Sequence, residues 1–267
     1  MNNAYTLQIN LSPGDVRYAE QTVPALVQAH PDAAERLLIV DVCKPQRTGI
    51  VDPEKRFPEP AYSQRVKHIR EIAGNLVRQG VVDRVETLEP GNQLIEQLSM
   101  KYLGGVVRET HDYGGCALMS YLAAFELCRT PWLAHFDADI LIHQAANVSW
   151  VRQAIPLLEA NPQIVAASPL SSPPVSSDQG LPSKGEKLAH LNHDAGWLSH
   201  WFSTRCFLFD LNKLAHELPL LQGRILWETR LAKWFKRGYP RSPEIMLFRR
   251  MEAAKKYRLM LEDQRTW

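Results

Sequence analysis

Two carboxylates one residue apart, Asp137-Ala-Asp139, follow directly on the apolar run Trp132-Leu-Ala-His-Phe136. At the end of a buried strand such a pair is a rigid oxygen donor set. Donors of this kind suit Mg²⁺ or Mn²⁺, which bridge one or two carboxylates to substrate phosphates. A further acid, Asp41, ends a second apolar run, Arg36-Leu-Leu-Ile-Val-Asp41. Asp is common in turns after strands, so the weight of these acids comes from the elements that must position them.

Those elements alternate. Residues 5–11 have strand character, and Ser12-Pro-Gly-Asp15 is a turn able to cap the helix expected over 16–30. Strand 36–41 leads into a proline-rich loop to 62, helix 63–79 and strand 81–88. A helix over 92–103 and a short strand at 106–109 precede Gly114-Gly115, which opens a long apolar helix, 116–128. Strand 132–136, helix 148–159 and strand 164–167 follow. The Pro/Ser-dense stretch 168–185 reads as a lid or a disordered segment, as loops of that length in compact domains usually are. A strand over 201–210 and helices over 211–217 and 225–237 complete the body. This alternation implies an α/β fold, a mostly parallel sheet with helices on both faces. Ligands of such sheets sit beyond the carboxyl ends of the strands, where Asp41, Asp137 and Asp139 would converge.

Composition narrows the class. The chain has 267 residues, 45% of them hydrophobic, and no run near the roughly 20 apolar residues of a membrane span. Its start lacks the pattern of a secretory signal. Four cysteines without a CxxC pair read as reduced thiols of a cytoplasmic protein. A net charge of +2 argues against nucleic acid as a partner. The charge is uneven: 11 Lys/Arg against 4 Asp/Glu from Arg230 onward, and 20 against 25 before it. The expected organisation is a body over 1–240 and a basic helical tail over 241–267. That tail offers peripheral contact with an anionic membrane, at the inner face for a cytoplasmic protein.

The stretch His111-Asp-Tyr-Gly-Gly115, the helix to Cys128, and Arg129-Thr-Pro-Trp-Leu-Ala-His-Phe-Asp-Ala-Asp139 resemble the central segment of family 2-type glycosyltransferases of the GT-A (Rossmann-like) fold. Leu38-Ile-Val-Asp41 sits where that family's second strand ends in Asp. Trp227-Glu-Thr-Arg-Leu231 with Lys236-Arg-Gly-Tyr239 is similar to its late acidic element. The likeness departs where Trp227-Glu228-Thr229 replaces an acidic pair, and where Met119-Ser-Tyr121 replaces a basic-plus-Asn pair.

The resemblance implies roles. Asp41, with backbone around Asn10, Leu11 and Ser12, would hold the donor nucleotide. Asp137 would lie near the ribose and the metal, and Asp139 would bind the Mn²⁺ or Mg²⁺ on the diphosphate. His190 or His193 would be a further metal ligand, and Glu228 the base that deprotonates the acceptor. The implied activity is inverting transfer from a nucleotide-sugar donor to a saccharide, lipid-linked or other hydroxyl acceptor. Two other readings stand beside it. One is a nucleotidyltransferase of related architecture, against which the lone Gly and missing Lys of Asn10-Leu-Ser-Pro-Gly-Asp15 count. The other is a GT-A-like binding protein without turnover.

Overall fold

Short apolar runs separated by amphipathic stretches give strand and helix in alternation through the first half of the chain. A computed structural model describes residues 4–170, 186–187, 195–263 and 265–266. β1 (Tyr5–Leu11), α1 (Ala19–Ala29), β2 (Glu35–Asp41), α2 (Pro53–Arg56), α3 (Ala61–Arg78) and β3 (Arg84–Leu88) come first. α4 (Gln93–Leu103), α5 (Met119–Leu127), β4 (Trp132–Asp137), α6 (Trp150–Ala160) and β5 (Ile164–Ser168) follow. After β6 (Glu186–Lys187) and β7 (Gly196–Ser199) come β8 (Cys206–Asp210), α7 (Leu211–Ala215), α8 (Gly223–Phe235), α9 (Pro243–Ala253) and β9 (Tyr257–Leu261).

All the described strands join one sheet in the order β3-β2-β1-β4-β8-β5-β9-β7-β6. β1 to β4 are mutually parallel, β8 runs against both β4 and β5, and β9 is parallel to β5. The sheet is therefore parallel in one half and mixed in the other. Register sets the site: Asn10 lies opposite Asp137 on β4 and Ile39 on β2, so the carboxyl ends of all three strands come level.

Each face carries its own core. Leu7 and Ile9 of β1 and Leu38 and Val40 of β2 pack with Val23, Ile69, Ile72, Trp150 and Ile155 of α1, α3 and α6. Leu37 and Ile39 point the other way, to Leu98, Leu122, Phe125 and Met246 of α4, α5 and α9. Strands buried on both faces read as continuous apolar runs, which is why β2 is recognisable in the sequence. β1 differs: its alternate residues Thr6, Gln8 and Asn10 are polar and buried.

Several expectations need correction. Residues 106–109 are irregular, α5 begins at Met119 rather than 116, and the late strand is only Cys206–Asp210. The described residues of 241–267 do not form a separate helical tail. Ser242 caps α9, whose Met246, Leu247 and Met251 are buried, and β9 lies inside the sheet between β5 and β7. Most of the excess charge sits on outward residues of elements whose inward residues are core, and Arg258 alone among the basic residues of this stretch is buried. The lid expected over 168–185 falls almost wholly outside the described residues. No helix among the described residues is long and apolar enough to cross a membrane.

Candidate functional site

Beyond the ends of β1 and β2 lies a cavity of about 290 Å³, lined by Ser12, Asp41, Arg56, Tyr62, Arg65 and His111 among others. Asp41 is 5% exposed. Its Oδ1 accepts the Cys43 N–H at 3.0 Å, whereas its Oδ2 is buried and has no partner. Burial is the dominant cause that pushes its pKa up to about 6, against the lowering effect of hydrogen bonds from the Cys43 backbone and thiol. Arg65 also carries a buried Nε without a partner. Buried polar groups are paired in the great majority of cases, so two orphans on residues that line one cavity single it out as a candidate site for a polar ligand.

The opposite wall is the glycine turn. Gly115 has φ +79, and a Cβ there would meet the Arg56 guanidinium at 2.9 Å and Val51 at 3.2 Å. Glycine lets Arg56 lie across the turn, where it donates to the Gly114 carbonyl at 3.2 Å. His111 is held neutral: burial first, then the Arg56 charge, lowers its pKa to about 4.

Asp137 closes β4. The Tyr121 hydroxyl, from α5, lies 3.0 Å from both its carboxylate oxygens, and His135 Nε2 is 3.3 Å from Oδ1. His135 in turn bonds Gln8 through Nδ1, and Gln8 donates to Asn10 at 2.9 Å. The carboxylate is thus fixed by a buried chain of polar side chains. Asp139 is exposed and pairs with Arg205 at 2.7 Å. Asp15 stands nearby: burial raises its pKa, three hydrogen bonds from Tyr18 and Ser12 oppose this, and the Asp139 charge adds to the rise.

The sequence-expected residues therefore divide. Asp41 and Ser12 meet in the cavity, and Asp137 and Asp139 share the same strand-end edge. Asn10 turns its side chain inward to Gln8 and Ser120, and its carbonyl accepts the Ala138 N–H at 3.1 Å. Leu11 is core. His190 and His193 lie outside the described residues. Glu228 sits in the second turn of α8, not at its N-terminus, and does not line the Asp41 cavity. Its carboxylate takes Arg249, Arg224 at 2.9 Å and Arg241 at 3.3 Å. The Arg249 and Arg224 hydrogen bonds hold its pKa below the usual carboxylate value, which weakens it as a base. Leu231 and Trp234 face solvent, and Thr229 is the buried residue of the helix.

Tyr121, His135, Arg56, Arg65 and Arg205 were not singled out by sequence reasoning. The signal for Tyr121 was present: it stands where the resemblance expected a basic-plus-Asn pair. No family model matches the chain, and no curated protein is similar to it in sequence.

The orphaned carboxylate has a thermodynamic signature. Between the ordinary aspartate value and about 6, the unfolded chain releases the Asp41 proton before the folded one does, so stability falls as pH rises through that window. The loss reaches about 3 kcal/mol above pH 6, from a shift of about two pKa units. Asp41→Asn should therefore melt several degrees above the parent chain at pH 7.5, with the gap closing toward pH 4. A melting point equal to or below the parent's at both pH values, read by circular dichroism, would show that Oδ2 has a partner in solution.

Proposed function

We propose that the chain is a metal-dependent glycosyltransferase of GT-A architecture that uses a nucleotide-sugar donor. The observation that carries this reading is the unpartnered Oδ2 of Asp41, a residue at the end of a parallel strand that lines a cavity together with Ser12. A carboxylate there accepts an N–H from a nucleobase edge, as backbone groups and side chains at strand ends commonly do for ligands. Arg56 and Arg65 supply positive charge in the same cavity.

Asp137 and Asp139 fit Mg²⁺ or Mn²⁺ by the chemistry of their donors. Both are carboxylates at one strand end, and such ions keep waters and take substrate phosphates rather than fill an all-protein cage. Bound there, the metal would stabilise charge on the diphosphate leaving group. Tyr121 and His135 hold the Asp137 carboxylate in place, and Arg205 must release Asp139 Oδ2 before both of its oxygens are free.

Glu228 is better suited to fastening α8 to α9 through its arginines than to taking a proton. That engagement favours, as a second reading, a nucleotide-sugar binding protein without turnover. Sugar released from a labelled donor with Mn²⁺ and no acceptor separates the two. In either case Asp139→Asn should abolish the Mn²⁺ dependence of nucleoside diphosphate binding, leaving the melting temperature within a few degrees of the parent. Calorimetry showing an unchanged Mn²⁺ effect would remove the metal role from this carboxylate.

The membrane contact expected of the tail moves to α8 in this reading. Trp227, Trp234 and Phe235 are 64%, 77% and 65% exposed, with Leu231 beside them on one side of the helix. Six Lys/Arg against the single Glu228 lie between Gly223 and Arg241. Exposed aromatic residues with flanking cations are complementary to an anionic bilayer surface. Replacing Trp227 and Trp234 by Ser should reduce co-sedimentation with phosphatidylserine-containing vesicles at least tenfold. Equal binding to neutral vesicles, or no change in the variant, would contradict the assignment.

A further inference from the structure

A second cavity, of about 390 Å³, adjoins Asp139 on the side away from Asp41. Phe136, Ile140, Leu141, Ile142, Trp201 and Met260 give it apolar walls. Its polar members include Arg205, which pairs with Asp139, and Arg258 from β9. The volume falls in the lower part of the range typical of small-molecule sites, roughly 300–1,000 Å³.

Arg258 is the anomaly. It is 8% exposed, its Nε is buried with no hydrogen-bond partner, and among the described residues it forms no ion pair. The acid whose charge reaches it, Glu244, is occupied, accepting the Thr204 N–H at 2.9 Å and its hydroxyl at 3.3 Å. A guanidinium does not escape burial by losing its proton, as a lysine can. A buried unpaired charge is costly, and pairing with an anion is the usual remedy. Apolar walls around a cation with no partner among the described residues describe one kind of guest.

We propose that this cavity binds an amphiphilic anion, a phosphate or carboxylate joined to an apolar chain or ring, with its charge on Arg258 and its body against Ile140, Leu141, Trp201 and Met260. Given the function proposed above, on which this assignment alone rests, the guest is the acceptor. The cavity touches Asp139 through Arg205, and Cys206 lies close enough to feel the charges of both Asp137 and Arg258.

The test is direct binding to the full chain without nucleotide or metal, so it succeeds or fails independently of sugar transfer. Decyl phosphate, decanoate, decanol and inorganic phosphate are titrated below their micellar concentrations, by calorimetry. Decyl phosphate or decanoate should bind saturably, and comparison of the two identifies the head group. Decanol should bind at least tenfold more weakly, and inorganic phosphate at least a hundredfold. Arg258→Met, which keeps most of the side-chain volume, should cost the anionic probe at least tenfold and leave decanol unchanged. Because that variant alters a sheet strand, Leu141→Asp at the exposed mouth is the second probe, and it should weaken both anionic amphiphiles at least tenfold. Trp227→Ser with Trp234→Ser on α8 should change none of these affinities. Decanol binding as tightly as decyl phosphate, undiminished anion binding in Arg258→Met or Leu141→Asp, loss of binding in the α8 variant, or no saturable binding would overturn the proposal.

Discussion

The buried polar chain from Gln8 through His135 to Asp137 and Tyr121 is the constraint on which the site depends. It lies on the face of β1 and β4 that α5 covers, where Gln8 and His135 are fully buried. Every member has its partner only in one register. A slip of one residue would turn Gln8 and Asn10 toward α1 and α3 and point Ile9 away from its own core. Satisfied networks of this kind rigidify, because breaking one bond strands several buried groups at once. The register that satisfies the network is also the one that brings Asp137 level with the end of β1.

Against that satisfied interior, the unsatisfied groups stand out. Among the described residues six buried side-chain atoms lack partners; Asp41 Oδ2, Arg65 Nε and Arg258 Nε belong to residues that line a cavity at the carboxyl side of the sheet, whereas Arg36 Nε, Ser99 Oγ and Thr266 Oγ1 line neither cavity. Groups left this way lower stability, and proteins tend to keep them where binding requires them. The two cavities flank the Asp137 and Asp139 carboxylates, so a polar ligand on one side and an amphiphile on the other would meet over the end of β4.

Much of this was legible from the sequence, for identifiable reasons. β2 and β4 are apolar runs closed by Asp, so both the strands and their strand-end acids could be read. Asn92, Ser149 and Ser242 cap the helices they precede, and the first two mark the starts of α4 and α6. The rest depended on contacts that spacing does not encode. His135 sits inside an apolar strand and finds Gln8 across 127 residues. Arg258 belongs to a stretch whose charge excess reads as surface, yet Leu259 and Leu261 beside it are core. Glu228 has the spacing of an acidic motif, but what surrounds it comes from Arg241 and Arg249, whose approach is set by the packing of α9. The same packing turns Trp227 and Trp234 outward.

The most direct test of the account is a crystal structure of the chain with a nucleoside diphosphate and Mn²⁺. The account predicts a base N–H within hydrogen-bond distance of Asp41 Oδ2, and the diphosphate on the edge shared by Asp137 and Asp139, with the Arg205–Asp139 pair opened. A nucleotide bound away from Asp41, or a diphosphate held with Arg205 still closed on Asp139 and no metal between carboxylate and phosphate, would contradict it.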